Sequence, residues 1–69
     1  MNEYTAAIQK DGAFWIGWIE EVPGVNSQGR TKKELLENIH SALREALEMN
    51  REEAQNAAGE HFEEVRITA

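Results

Sequence analysis

The chain opens with two segments whose apolar and polar positions predict a pair of strands. Residues 3–9 alternate with the two-residue period of a β-strand. Asp11 and Gly12 follow and form a strong signal for a tight hairpin turn. Residues 14–19, Phe-Trp-Ile-Gly-Trp-Ile, are rich in the aromatic and β-branched residues that favour strands. The pattern therefore predicts a two-stranded hairpin.

The second strand of this hairpin is apolar on both faces. Alternation places Phe14, Ile16 and Trp18 on one face, and Trp15, Gly17 and Ile19 on the other. A strand with one face in water carries polar residues at every second position. One helix covers only one face, so we expect the second cover to come from elsewhere. One tryptophan is then either exposed or buried in an interface, which makes Phe14, Trp15 and Trp18 the candidate protein-interface residues.

Residues 22–31, Val-Pro-Gly-Val-Asn-Ser-Gln-Gly-Arg-Thr, predict a turn, a short strand and the start of a helix. Pro23 and Gly24 fit the central positions of a type II turn. Residues 25–28 are a candidate third strand, and Gly29 then releases the chain toward a helix. Thr31 and Glu34 have the spacing of a capping box, in which each side chain binds a free amide at the helix start.

From residue 32 the hydrophobic period becomes helical. The helix should continue to about Asn50 at least, and residues 52–58 are able to extend it to Gly59 as the residue that ends it. The last residues, 61–69, again alternate and predict a final strand, parallel to the first by a right-handed crossover. The predicted fold is α+β, in the order β-β-β-α-β, with one helix on one face of a mixed sheet. The apolar stripe of the helix consists of Leu35, Leu36, Ile39, Ala42, Leu43, Ala46 and Leu47.

Size and charge limit the possible functions of the chain. Its 69 residues are enough for one domain, 1–69, and the absence of cysteine excludes disulfides as a brace. Such a small core gives little stability, so we expect a homodimer or a larger assembly. The net charge of −6 opposes binding to bare nucleic acid and suits a basic protein partner or simple solubility. With neither a signal-peptide pattern nor a membrane-spanning apolar run, the expected location is the cytoplasm.

The sequence offers little for catalysis or cofactor binding. The paired glutamates at 20–21, 52–53 and 63–64 are adjacent in sequence, and we interpret all three pairs as solvated surface. His40 and His61 lack the spacing of a metal site, and no phosphate-binding or dinucleotide-binding motif is present. We therefore expect a protein that is not an enzyme and has no metal or cofactor.

Residues 3–50 resemble the HicB family of antitoxins from HicA–HicB toxin–antitoxin modules. The similar segments are Tyr-Thr-Ala-Ala-Ile at 4–8, Phe-Trp-Ile-Gly-Trp at 14–18, and the Pro-Gly and Ser-Gln-Gly-x-Thr steps within 23–31. The helix matches at Glu34, Leu35, Asn38, Ile39 and Ala42. The chain departs from the family at Val25, where a cysteine is common, and at Glu20, where a proline is common.

The resemblance implies a partial ribonuclease-H-like fold and a function in binding. It implies that the protein neutralises a small basic RNA-cleaving toxin similar to HicA, and that it forms dimers or tetramers. Many members carry a further DNA-binding domain, which these 69 residues do not accommodate, so we expect no direct binding to DNA. The alternative is a stand-alone oligomeric regulator or scaffold of the same fold that has no toxin partner.

Overall fold

The structure, a computed structural model, describes residues 3–67 and contains three strands followed by one helix. The strands are β1, Ala6–Asp11, β2, Phe14–Ile19, and β3, Asn26–Gly29, and the helix α1 is Lys32–Ala58. This arrangement confirms the predicted α+β class and the order of its first four elements.

The three strands form one antiparallel sheet in the order β1-β2-β3. Asp11 pairs with Phe14, so the hairpin loop consists of Gly12 and Ala13. Only Gly12 of this pair has a positive φ, 62°, as in a type II′ turn. The connection from β2 to β3 is the expected type II turn, since Gly24 has a φ of 86° and the Val25 amide donates to the Val22 carbonyl at 3.4 Å.

The start of the helix is held by the predicted cap, with one difference. The Thr31 hydroxyl accepts a hydrogen bond from the Glu34 amide at 3.0 Å. The Glu34 carboxylate accepts from the amide of Arg30 at 3.4 Å, one residue before the expected partner, Thr31. The capping interactions therefore connect the loop after β3 to the first turn of α1.

Gly29 permits the helix to start directly against the sheet. A Cβ atom on Gly29 would lie 2.5 Å from the Leu35 amide nitrogen and 2.9 Å from the Glu34 carbonyl carbon. Both are backbone atoms of the first helical turn and have little freedom to move away. The glycine of the Ser-Gln-Gly-x-Thr step is thus required by a close approach of two backbones.

The core lies between β2, the turn before β3, and one face of α1. Its buried side chains are Ile19, Val25, Leu35, Ile39 and Leu43. Leu36, which the sequence pattern placed on the same stripe, is 47% exposed and lies outside this core. Alanines and Leu47 complete the apolar face toward the middle of the helix, and Leu47 is its last half-buried leucine.

The predicted fifth element is wrong for the part of it that the structure describes. Residues 60–67 form no strand, so the sheet is antiparallel and not mixed. Thr68 and Ala69, the end of the predicted strand, lie outside the described residues. The physical reason is the length of α1: 27 residues span about 40 Å, whereas a six-residue strand spans about 20 Å. The helix therefore ends well beyond the sheet, at Gly59, and the likeness to ribonuclease H stays a prediction.

Candidate protein-binding surface

The side of the sheet away from α1 carries an uncovered apolar surface. Phe14, Ile16 and Trp18 project from β2 on this side, and Phe14 and Trp18 are 41% and 44% exposed. We call these three side chains the open face. Trp18 and Ile16 also border a shallow depression of about 260 Å³, together with Asn26 and Gln28 of β3. Clustered exposed aromatic residues with a polar border are typical of protein-binding surfaces.

Trp15, the third candidate interface residue, lies on the opposite side of the sheet. It shares that side with Gly17 and Ile19, which are buried under α1, and is itself half-buried. The ammonium groups of Lys10 and Lys32 lie 5.7 Å and 5.0 Å from the centre of its ring. This is the geometry of a cation–π contact, which joins β1, β2 and the start of the helix. The structure therefore brings Phe14 and Trp18 together and separates both from Trp15.

Ile16 belongs to the open face although it was not among the candidate interface residues. Its position between Phe14 and Trp18 in a regular strand was the available signal, because side chains two residues apart share a face. Ile16 is paired with Gln9 and Gln28 in the neighbouring strands, so polar side chains flank the apolar row.

The predicted structural residues build the frame of the site and do not line it. Pro23 and Gly24 form the turn that returns the chain from β2 to β3. Gly29, Thr31 and Glu34 connect β3 to the helix. These contacts hold the helix on one side of the sheet, which leaves the other side uncovered.

Glu21 has a structural role that the sequence did not indicate. Its carboxylate accepts a hydrogen bond from the Thr5 amide at 2.7 Å, and the Thr5 carbonyl accepts one from Glu20 at 2.9 Å. The bond from the Thr5 amide lowers the pKa of Glu21, and desolvation opposes that shift only in part. The carboxylate fastens the start of β1 to the end of β2, so the pair 20–21 is more than solvated surface.

Residues 3–67 contain no group of three or more His, Cys, Asp and Glu side chains placed to hold a metal ion. His40 lies on the outer side of the helix beside Lys33, Leu36 and Glu37, whereas His61 follows the end of the helix. Within the same described range, no helix combines the length and hydrophobicity needed to cross a bilayer.

Comparison with known proteins places the chain by its sequence. No family model and no solved structure matches it. It is similar to the UPF0150 protein Ta0767 of Thermoplasma acidophilum, with 32% identity over 68 residues. The aligned region covers 97% of this chain and 99% of that protein. Because the similarity extends over essentially the full length of both, the chain belongs to the UPF0150 family.

Proposed function

We propose that this protein is a HicB-like antitoxin module, which binds a small basic RNA-cleaving toxin and blocks its activity. The single observation that carries the proposal is the open face, where Phe14, Ile16 and Trp18 form an apolar row on the side of the sheet away from the helix. A monomer gains nothing from leaving two large aromatic side chains in water, whereas a bound partner buries them.

The chemistry around the open face suits a protein partner. Asn26 and Gln28 supply neutral hydrogen-bonding groups at the rim, and apolar side chains occupy the centre. This is the usual anatomy of a protein interface, with aromatic anchors surrounded by polar residues. Trp18 is the best candidate for the principal anchor, because tryptophan is strongly enriched among residues that dominate binding energy.

The charge of the chain supports a basic partner. A net charge of −6 attracts a cationic protein at long range and raises the rate of encounter, while the apolar centre determines the strength of the complex. The resemblance to HicB antitoxins over residues 3–50 supports a HicA-like ribonuclease as the class of partner. In this mechanism, the bound module excludes RNA from the toxin's surface and performs no chemistry itself.

The test is an RNA-cleavage assay with any small basic protein that is encoded beside this gene. Cleavage should stop when the two proteins are mixed in about equal amounts. Trp18→Ala should weaken the inhibition by at least about tenfold, since loss of an aromatic anchor commonly costs more than about 1.4 kcal/mol of binding energy.

Leu36→Ala is the matched control. Leu36 is exposed to nearly the same fraction as Trp18, but it lies on the outer side of the helix. Its substitution should leave inhibition unchanged, and circular dichroism should show both variants folded. Undiminished RNA cleavage with this protein in excess would contradict the antitoxin role for that pair, as would the absence of any such neighbouring gene. Either result would favour the alternative, a stand-alone oligomeric regulator.

A further inference from the structure

The apolar row of the open face is only one strand wide, because Phe14, Ile16 and Trp18 all belong to β2. A partner sheet packed on this face would lay several strands across it and bury the neighbouring side chains as well. Those neighbours in β1 and β3 are mostly polar: Ala7, Gln9, Asp11, Asn26 and Gln28. A row of this width matches the single apolar stripe of an amphipathic helix.

The dimensions of the sheet also suit one helix. The two outer strands of a three-stranded sheet lie about 10 Å apart, and a helix with its side chains is about 10–12 Å across. Along β2, side chains on one face follow each other at about 6.6 Å, whereas helix residues four positions apart are separated by about 6 Å. A helix that lies along β2 is therefore able to contact all three side chains of the open face.

The opposite face of the sheet shows the same kind of cover. A Cβ atom on Gly17 would lie 3.3 Å from the Leu35 side chain, and Ile39 and Leu43 pack in one cluster with Ile19. Thus α1 follows β2 with buried residues at the i, i+4 and i+8 positions. Within residues 3–67, α1 is the single helix and lies on that side, so a helix on the open face comes from another molecule. Copies of this chain repel one another through the net charge of −6, whereas a basic protein is attracted.

The Trp18 end of the open face carries a carboxylate. The Glu20 amide donates to the Thr5 carbonyl at 2.9 Å, so the pairing of β1 with β2 continues for one residue beyond Ile19. Alternation then places the Glu20 side chain on the side of Trp18. An arginine bound here would lie over an indole ring and pair with a carboxylate, two contacts that its planar guanidinium group makes well.

The Phe14 end of the open face is balanced in charge. Asp11 is the cross-strand partner of Phe14, and Arg30 follows Gly29 at the same end of the sheet. A cationic residue of a partner is therefore attracted more strongly to the end that carries Trp18, and this difference orients the partner along β2.

We propose that the open face binds one amphipathic helix of the basic partner, which lies along β2. The apolar stripe of that helix covers Phe14, Ile16 and Trp18, and an arginine near one of its ends pairs with Glu20. The inference rests on the proposed function, because it takes the open face as the binding site for a basic protein. It adds the kind of segment that binds there and the end at which its positive charge lies.

Two synthetic peptides of equal composition test the kind of segment. One has leucines at the i, i+4 spacing of a helix with arginines between them, and the other has its leucines at the i, i+2 spacing of a strand. The Trp15→Phe protein reports binding, because Trp18 is then its only tryptophan. The helical peptide should shift the Trp18 emission to shorter wavelength and bind at least about tenfold more tightly than the strand peptide.

Two charge reversals test the position of the arginine. Glu20→Lys should weaken binding of the helical peptide at least about fivefold. Glu45→Lys changes the net charge equally on the exposed side of α1 and should leave binding close to that of the parent protein. Circular dichroism should show both variants folded. Equal affinities of the two variants would refute the pairing with Glu20.

Other outcomes of the peptide titration would overturn the helix as the occupant. These are equal binding of the strand peptide, binding of the helical peptide without a change in Trp18 emission, and absence of binding up to millimolar concentration. A full shift of the emission in the concentrated protein alone would assign the open face to a second copy instead.

The peptide titration contains no toxin, so its result is separate from that of the RNA-cleavage assay. Binding of the helical peptide together with undiminished RNA cleavage would support the helix site and contradict the antitoxin role. Inhibition of cleavage that depends on Trp18, together with failure of the helical peptide to bind, would support the antitoxin role and refute the helix as the bound segment.

Discussion

At the scale of single residues, the fold depends most on two glycines whose positions do not accept a larger residue without strain. Gly29 has no room for any side chain because the first helical turn passes directly over it. Gly24 has a left-handed conformation that the type II turn requires. Both residues stand in the segment that resembles HicB antitoxins, so the conspicuous part of the sequence corresponds to contacts that join the sheet to the helix.

Gly29→Ala should destabilise the protein by about 3 kcal/mol, because the added methyl group overlaps backbone atoms that cannot withdraw without moving the helix. Thermal or urea unfolding followed by circular dichroism measures this loss. Gln28→Ala, at the neighbouring exposed position, is the control and should change stability by no more than about 0.5 kcal/mol. Equal stability of the two variants would mean that the helix does not start against β3.

Glu21 should make the protein sensitive to acid. Its folded-state pKa is lowered, mainly by the hydrogen bond from the Thr5 amide, so its contribution to stability is present above the unfolded-state pKa. That contribution is lost as the pH falls through the lowered folded-state pKa. Melting temperatures of the wild type and Glu21→Gln should therefore differ at neutral pH and converge in acid. Glu20→Gln is the control. If the melting temperatures of the wild type and Glu21→Gln differed by the same amount down to strong acid, this linkage would be excluded.

At the scale of elements, the helix contributes to the core through the stretch from Leu35 to Leu47. Leu35, Ile39 and Leu43 are buried, whereas the residues beyond Leu47 project past the sheet. The periodicity of the sequence predicted the stripe and a helix to about Asn50 at least, and it left open the extension to Gly59 that the structure shows. It did not distinguish Leu36 from its neighbours, because a leucine at the border of a stripe is buried only if a neighbouring element covers it.

Ile39→Ala and Leu43→Ala should each cost about 2–5 kcal/mol, from lost burial and the cavity left behind. A domain of this size has about 3–10 kcal/mol of stability in total, so either change is able to unfold much of the population. Denaturant titration measures the effect. Glu48→Lys, on the exposed face, should stay within about 0.5 kcal/mol of the wild type. Wild-type stability in both alanine variants would mean that the stripe does not face the core.

At the scale of the whole molecule, the protein is elongated, with extents of 50 × 22 × 16 Å. A small sheet lies at one end, and the second half of a long helix projects from it. This shape leaves two features of the sheet uncovered: the open face and the outer edge of β1. The proposed toxin binding uses the open face.

The sequence by itself determined the hairpin, the type II turn, the third strand, and the helix with its capped start, and it offered Gly59 as one possible end. Each of these depends on neighbours along the chain: alternation, a proline with a glycine, and a threonine cap. It also determined that Trp15 and Trp18 face opposite sides, since that follows from the two-residue period of a strand.

Only the tertiary structure decided which tryptophan is covered and what happens to the last residues. The local sequence pattern allows the helix to pack on either face of the sheet. In the structure, the close approach at Gly29 places the helix on the side of Trp15, and Trp18 on the other side is left in water. Residues 61–67 have the alternation of a strand, but a strand forms only where it can pair with the edge of another strand. The helix is about twice as long as the sheet, so residues 60–67 start well beyond the sheet edge.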